Sequence, residues 1–199
     1  MMGFPRFWVP VLAGLAFLLA ACSNAPPPAA AYPEITFVDR GPIVLDVGTI
    51  EIRSSFEPSF ADPDVEHLFP IPPQRAAERW ARDRLVAHGG GRLAIYDVKT
   101  ARVVEKALRG TGGVAGLFKS DQEARYTAVL EVELRIVEPD FRQAGFVTAK
   151  AERVRTVEEG VTLAERETIW FEMTRQLMAD LDPVLERNIR TSLGTFVVH

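Results

Sequence analysis

The sequence predicts an α+β fold, a two-layer sandwich in which a mainly antiparallel sheet carries one short and one long C-terminal helix on one face. Several segments alternate apolar and polar residues with the period of a half-buried strand, and two others repeat apolar residues at helical spacing. The chain has 199 residues, of which 47% are hydrophobic and 25% charged. This composition indicates one globular domain and argues against disorder, collagen and coiled coil.

The first part of the domain contains short strands. Residues 35–38 and 43–47 are β-prone runs, and residues 49–56 alternate apolar with charged side chains. Five prolines between Pro58 and Pro73 then exclude regular structure until about Gln74.

The short helix is predicted over Gln74–His88. Ala77, Trp80 and Leu85 fall on one face at three- and four-residue spacing. Pro73 suits the first helical position, and the glycines at 89–91 end the helix.

Two strands are predicted next, over residues 92–98 and 101–108, with a turn at residues 97–100. The glycine-rich segment 110–116 follows, and we expect it to be a connection between strands. It lacks a following helix, so it does not match a dinucleotide-binding loop.

The strongest strand pattern covers Tyr126–Val137, where apolar residues alternate with Glu131, Glu133 and Arg135. A second strand over Phe146–Val157 is predicted to pair back with it. Arg153 interrupts the apolar face of that strand, which indicates a bulge or a sheet edge.

The long helix begins at a capping box formed by Thr162 and Glu165. Its apolar stripe recurs at intervals of four residues and is interrupted by Asp182 and Pro183. Because proline cannot complete the helical hydrogen-bond pattern, we expect a kink or a break there, with Asp182 capping a second helix. The stripe consists of Ile169, Met173, Leu177, Leu181, Leu185 and Ile189.

The first 21 residues have the organisation of a secretory signal peptide. Arg6 supplies the positive charge, and Phe7–Leu18 forms an apolar region that is too short for a membrane-spanning helix and contains Pro10. Small residues precede Cys22, the single cysteine of the chain.

Leu19-Ala20-Ala21-Cys22 resembles the lipobox of bacterial lipoproteins. The resemblance implies cleavage before Cys22 and attachment of fatty acyl chains such as palmitate to it. An ordinary signal peptide would leave an unpaired thiol in an oxidising compartment. Ser23, in the position where lipoproteins of the inner membrane commonly have Asp, favours the periplasmic face of the outer membrane.

Residues 22–34 are predicted to be a lipidated cysteine followed by a tether rich in proline and alanine, and residues 35–199 a single periplasmic domain. The formal charge of −4 gives no reason to expect nucleic-acid binding.

The sequence indicates neither catalytic, cofactor-binding nor metal-binding residues. His67, His88 and His199 lack metal-ligand spacing, and no nucleophile motif is present. The best metal candidate, Asp62–His67, lacks the glycine and spacing of a calcium loop and is interpreted as a solvated acidic loop.

Val114, Leu117 and Phe118 follow the glycines, and these apolar side chains are candidates for contact with a partner or with lipid. The alternative is that Leu117 and Phe118 fold back onto the core.

The order of elements from residue 75 to residue 190, with Trp80 and the paired strands, is similar to the periplasmic auxiliary lipoproteins of ABC-type and Mce-type lipid transport systems. This resemblance implies a non-enzymatic protein that partners components of the envelope. Lipopolysaccharide-assembly lipoproteins share a comparable layout. No ligand residue of either group can be assigned to a position here.

Three functions are therefore open. The first is a non-enzymatic, lipid-anchored envelope protein that acts in assembly or lipid transport through protein or lipid contacts. The second is a module that binds lipid or glycan in an apolar groove between the sheet and the C-terminal helix. The third, and least favoured, is a metal-dependent hydrolase that uses Asp62–His67.

Replacing Cys22 with serine tests the anchor. Because the chain has one cysteine, the Cys22→Ser variant should lose all labelling by a fatty-acid analogue, whereas Ser23→Ala should keep it. Labelling that persists in Cys22→Ser would contradict the lipobox.

Overall fold

The computed structural model describes residues 31–108 and 122–198. Three short 3₁₀ turns, at Val38–Arg40, Glu66–Leu68 and Gly194–Phe196, accompany the main elements. Those elements are, in chain order, β1 (Ile43–Leu45), β2 (Thr49–Ser54), α1 (Pro73–Arg84), β3 (Leu85–Ala87), β4 (Leu93–Ala107), β5 (Gln122–Val137), β6 (Gln143–Glu158) and α2 (Leu163–Ser192).

The main sheet has four strands in the order β2-β4-β5-β6. β2 runs parallel to β4, whereas β4, β5 and β6 are antiparallel. β1 and β3 form a separate parallel pair. The predicted α+β class with a mainly antiparallel sheet is confirmed.

Both helices cover the same face of this sheet. In α1 the ring of Trp80 stacks on Tyr96 of β4 with centroids 5.8 Å apart. In α2 Trp170 meets Tyr126 of β5 edge-on at 5.7 Å. The alternation predicted for β5 is confirmed, since its helix-side residues are completely buried: Tyr126, Ala128, Leu130, Val132, Leu134 and Ile136.

The predicted turn at residues 97–100 is wrong, because β4 is a single strand. Its register with β5 shifts between Val98 and Thr100, so one extra residue bulges out and the strand continues. The turn-forming residues of this segment therefore produce a bulge.

Asp97, beside the bulge, is buried and holds the end of β2. Its carboxylate accepts hydrogen bonds from the backbone N–H and the hydroxyl of Ser55 at 2.9 and 2.8 Å. Burial by itself raises the pKa of Asp97, but the bonds from Ser55 and the charges of Lys99 and Arg53 outweigh it, so the pKa is lowered.

The first helix is shorter than predicted. It ends at Arg84, and Leu85–Ala87 pairs with β1, so strand pairing overrides the helical pattern there. Residues 35–38 form no strand either. The N–H of Phe37 donates to the side chain of Asp83 at 2.9 Å.

The start of α2 is as predicted. Thr162 and Glu165 form the reciprocal capping box. Of the two alternatives expected at Pro183, a kink or a break, the break is wrong, because the helix is continuous from Leu163 to Ser192. Asp182 does not cap a second helix, since its carboxylate is used elsewhere.

That carboxylate joins the two helices. Trp80 Nε1 donates to Asp182 Oδ1 at 2.7 Å in a site where Trp80 is 0% and Asp182 3% exposed. Arg40 lies 3.7 Å from the other carboxylate oxygen. One turn further along both helices, Arg84 is bonded to Glu186. The two contacts fix α2 beside α1 and therefore above the sheet.

The Asp182→Ala variant should lose about 2–4 kcal/mol of unfolding free energy, because the buried indole N–H of Trp80 loses its acceptor. Urea denaturation followed by circular dichroism measures the change. Asp39→Ala, which removes an exposed carboxylate, is the control and should stay within about 0.5 kcal/mol of wild type. Equal midpoints for the two variants would contradict the importance of this bond.

Candidate functional site

A groove of about 380 Å³ lies between the edge strand β6 and the N-terminal half of α2. We call it the β6–α2 groove. Its polar and apolar walls continue into a second depression around Val157 and Val161. The groove is lined by Arg153, Val154, Arg155, Thr168, Ile169, Glu172, Met173 and Gln176.

The side chains that line the groove are set by the helical period of α2 and by the two-residue period of β6. Ile169 and Met173 are four residues apart on α2 and supply its apolar floor. Arg153 and Arg155 are two residues apart and share the helix side of β6. Small apolar residues on β6 pack under α2 further along, but at these two positions arginines line the groove.

One of the two arginines closes the groove at one end. Arg153 binds the carboxylate of Asp180 on α2 through two nitrogens, with Nη2 2.6 Å from Oδ1. The pair raises the pKa of Arg153 and ties β6 to α2. The edge predicted near Arg153 is confirmed, since β6 is the outer strand, and its register with β5 is unbroken at this residue.

Glu172 carries a permanent negative charge in the wall of the groove. Arg175 donates to it through two nitrogens, at 2.7 and 2.6 Å, and Gln176 through its amide at 2.7 Å. These hydrogen bonds, from Arg175 first, lower the pKa of Glu172 to about 2. The carboxylate is therefore ionised at any physiological pH.

Arg155 differs from its neighbour. Within residues 31–108 and 122–198, no carboxylate comes close enough to form an ion pair with it, although its charge contributes to the low pKa of Glu172. Arg155 is exposed, so the groove presents one cation that is available to an incoming group.

The chain enters the described domain beside the groove. The hydroxyl of Tyr32 lies 3.2 Å from that of Thr168, which lines the groove, and its ring packs on Phe171 at 5.2 Å. Further on, Glu34 pairs with Arg75 of α1. The segment after Tyr32 is thus held against both helices.

The lipidation and contact residues predicted from sequence fall outside the part of the chain that the structure describes. Cys22, Val114, Leu117 and Phe118 are outside the described residues, and so is His199. The sequence did not indicate Arg155, Glu172 or Tyr32, although Arg153 was recognised as an interruption of the strand pattern. The positions facing across the groove are far apart in the chain, so no local spacing indicates them.

The acidic loop Asp62–His67 is held against β4. Asp64 accepts from Arg102 Nε at 2.5 Å, and this bond lowers its pKa. Glu66 is buried and accepts from the N–H of Val103 at 3.2 Å. In the described ranges, no three His, Cys, Asp or Glu side chains come together as ligands of a metal ion.

The Arg175→Ala variant should raise the pKa of Glu172 from about 2 toward its ordinary value of 4.5, because two hydrogen-bond donors are lost. A carboxyl NMR titration measures this pKa. The lowered pKa stabilises wild type above pH 4.5, and this advantage should fade as the pH falls from 4.5 to about 2.

Arg142→Ala is the control, since Arg142 pairs with Asp140 in the β5–β6 turn. It should leave the pKa of Glu172 unchanged. A pKa of Glu172 that is the same in Arg175→Ala as in wild type would contradict the assignment.

In the part of the chain that the structure describes, neither helix combines the length and apolar character needed to cross a membrane. No protein-family model and no curated protein sequence matches the chain.

Solved structures similar to the chain include two lipoproteins. The rare lipoprotein B of Shewanella oneidensis is 13% identical with a TM-score of 0.37, covering 70% of this chain and 92% of that one. A minor lipoprotein of Acinetobacter baumannii is 14% identical with a TM-score of 0.39, covering 79% and 99%. A Xanthomonas campestris protein is 9% identical with a TM-score of 0.28, covering 80% and 93%.

Proposed function

We propose that this protein is a non-enzymatic, lipid-anchored envelope protein that acts in envelope assembly or lipid transport by binding partner proteins or lipids. Cys22 carries the lipid anchor, and the protein is located at the periplasmic face of the outer membrane, which Ser23 favours. The binding site is the β6–α2 groove.

The observation that carries the proposal is the position of the groove beside the chain entry. Tyr32 is bonded to Thr168, a residue of the groove wall. Ten residues lead from Cys22 to Tyr32, and a chain of that length spans at most about 35 Å. A lipid at Cys22 would therefore hold Tyr32, and the groove beside it, within that distance of the membrane surface, where an envelope component can meet it.

The charges in the groove suit binding better than acid–base chemistry. Glu172 and Asp180 are each engaged by an arginine. The pKa of Glu172, about 2, is far from the neutral values that general acid–base catalysis requires. Such ion pairs fix the shape of the groove and give it polar recognition groups.

A lipid or glycan ligand is the second candidate. Ile169 and Met173 offer an apolar floor, and this observation favours an acyl chain or the flat face of a sugar. Membrane attachment would keep such a ligand within reach.

The experiment is complementation of a deletion strain, with uptake of an apolar dye as the measure of the envelope barrier. Wild type should restore the barrier. Cys22→Ser should fail because the domain is no longer held at the membrane. Gln176→Trp should also fail, because an indole side chain fills the groove.

Arg187→Trp is the matched control, because it adds the same indole to an exposed position of α2 away from the groove. It should restore the barrier as wild type does. Full complementation by Cys22→Ser together with Gln176→Trp would refute the proposed function.

A further inference from the structure

The outer edge of β6 presents a row of backbone groups. At the β5–β6 turn, the N–H of Glu138 donates to the carbonyl of Arg142 at 2.8 Å. Antiparallel strands bond through alternate residues. The even-numbered residues of β5 therefore exchange N–H···O=C bonds with Gly145 and the odd-numbered residues after it on β6. The even-numbered residues of β6 therefore direct N–H and C=O away from the sheet.

A side-chain contact confirms this direction. Asn188 of α2 donates through Nδ2 to the carbonyl of Thr148 at 2.8 Å. The register of β6 with β5 is unbroken from Gly145 to Val157. The backbone N–H and C=O groups therefore point outward, as those of Thr148 do, at four further residues: Lys150, Glu152, Val154 and Thr156. In the described ranges no strand pairs with this edge.

The open stretch of this edge runs beside the β6–α2 groove. Three residues belong both to the open edge and to the groove wall: Arg153, Val154 and Arg155. A strand that bonded to the outward groups of β6 would place alternate side chains over the groove floor, because side chains of paired strands share faces. A carboxylate on such a side chain would complement the exposed cation of Arg155.

A second copy of this chain does not fit here. α2 lies above β6, as the contacts of Asn188 with Thr148 and of Asp180 with Arg153 show. Paired strands are about 4.8 Å apart, whereas packed helices need about 8–10 Å between their axes. Two copies joined through β6 would press their α2 helices together. A segment without its own covering helix avoids this collision.

We infer that the β6–α2 groove receives an extended segment of a partner protein, which adds to β6 as a further strand along Lys150–Thr156 and places a carboxylate against Arg155. This inference rests on the proposed function, of which it names the partner class. Backbone hydrogen bonds supply the affinity, and Arg155 with the apolar floor supplies the selectivity.

The test uses the lipidated protein in detergent micelles and two pools of nine-residue peptides. In both pools every position varies in sequence except the central one, which is aspartate in the first pool and lysine in the second. Amide exchange measured by NMR reports on the edge. The aspartate pool should slow exchange at Lys150, Glu152, Val154 and Thr156, and the lysine pool should bind about threefold more weakly.

Two variants of one residue separate strand addition from other binding. Val154→Pro removes an outward N–H and leaves the bonds to β5 in place, a position in which edge strands tolerate proline. It should abolish the protection at Lys150, Glu152 and Thr156. Val154→Thr keeps the N–H and should retain the protection. Circular dichroism melting checks that both variants are folded. If Val154→Pro is unfolded, the amide-to-ester analogue at Val154 replaces it, because it removes the N–H without adding a proline ring.

Absence of protection with both pools would overturn the inference, as would equal protection by both pools. Protection by phosphatidylglycerol vesicles in place of the peptides would identify a lipid as the occupant and overturn it too. If the peptides do not protect β6 but Gln176→Trp still fails to restore the envelope barrier, strand addition is refuted and the proposed function is retained. Full complementation by Gln176→Trp and Cys22→Ser is the separate failure of that function.

Discussion

The bond between Trp80 and Asp182 is the contact on which the position of α2 depends. It joins two helices whose residues are 102 positions apart, in a site closed to solvent. A buried carboxylate is costly unless donors surround it, and the indole N–H meets this requirement. Arg84 and Glu186 repeat the link one turn later, again at a separation of 102 residues. With α2 held beside α1, the contacts of Asp180 with Arg153 and of Asn188 with Thr148 place α2 over β6, where the groove lies.

The sequence was sufficient for elements whose pattern is local. β5 combines strict alternation with complete burial of one face, and the capping box of α2 lies within four consecutive residues. The sequence was insufficient where contacts with residues far away in the chain determine the local structure. Leu85 continues a helical stripe but forms a strand because β1 lies beside it. Asp182 and Pro183 have the sequence of a helix boundary, yet Trp80 takes the carboxylate and the helix continues.

The groove illustrates the same limit. Its two walls are β6 and α2, and only their packing brings Arg155 opposite Glu172. Arg153 was visible in the sequence as a fault in an apolar strand face, and the structure explains this fault, since its guanidinium bridges to Asp180. The sequence predicts a groove between sheet and helix only as a general property of this layout. Which side chains line it depends on the register of β6, and that register follows from the β5–β6 turn.

Edge strands promote association of identical chains unless something blocks them. In this protein, features of the β6 edge block pairing with a second copy but leave part of the edge open. Asn188 occupies the carbonyl of Thr148, Arg153 places a charge on the helix side, and α2 excludes a second strand that has its own helix above it. None of these features closes the outward N–H groups of Val154 and Thr156 to a bare extended segment. The edge of β6 therefore disfavours pairing with a second copy, whereas its outward backbone groups can still bond to an extended segment that has no helix above it.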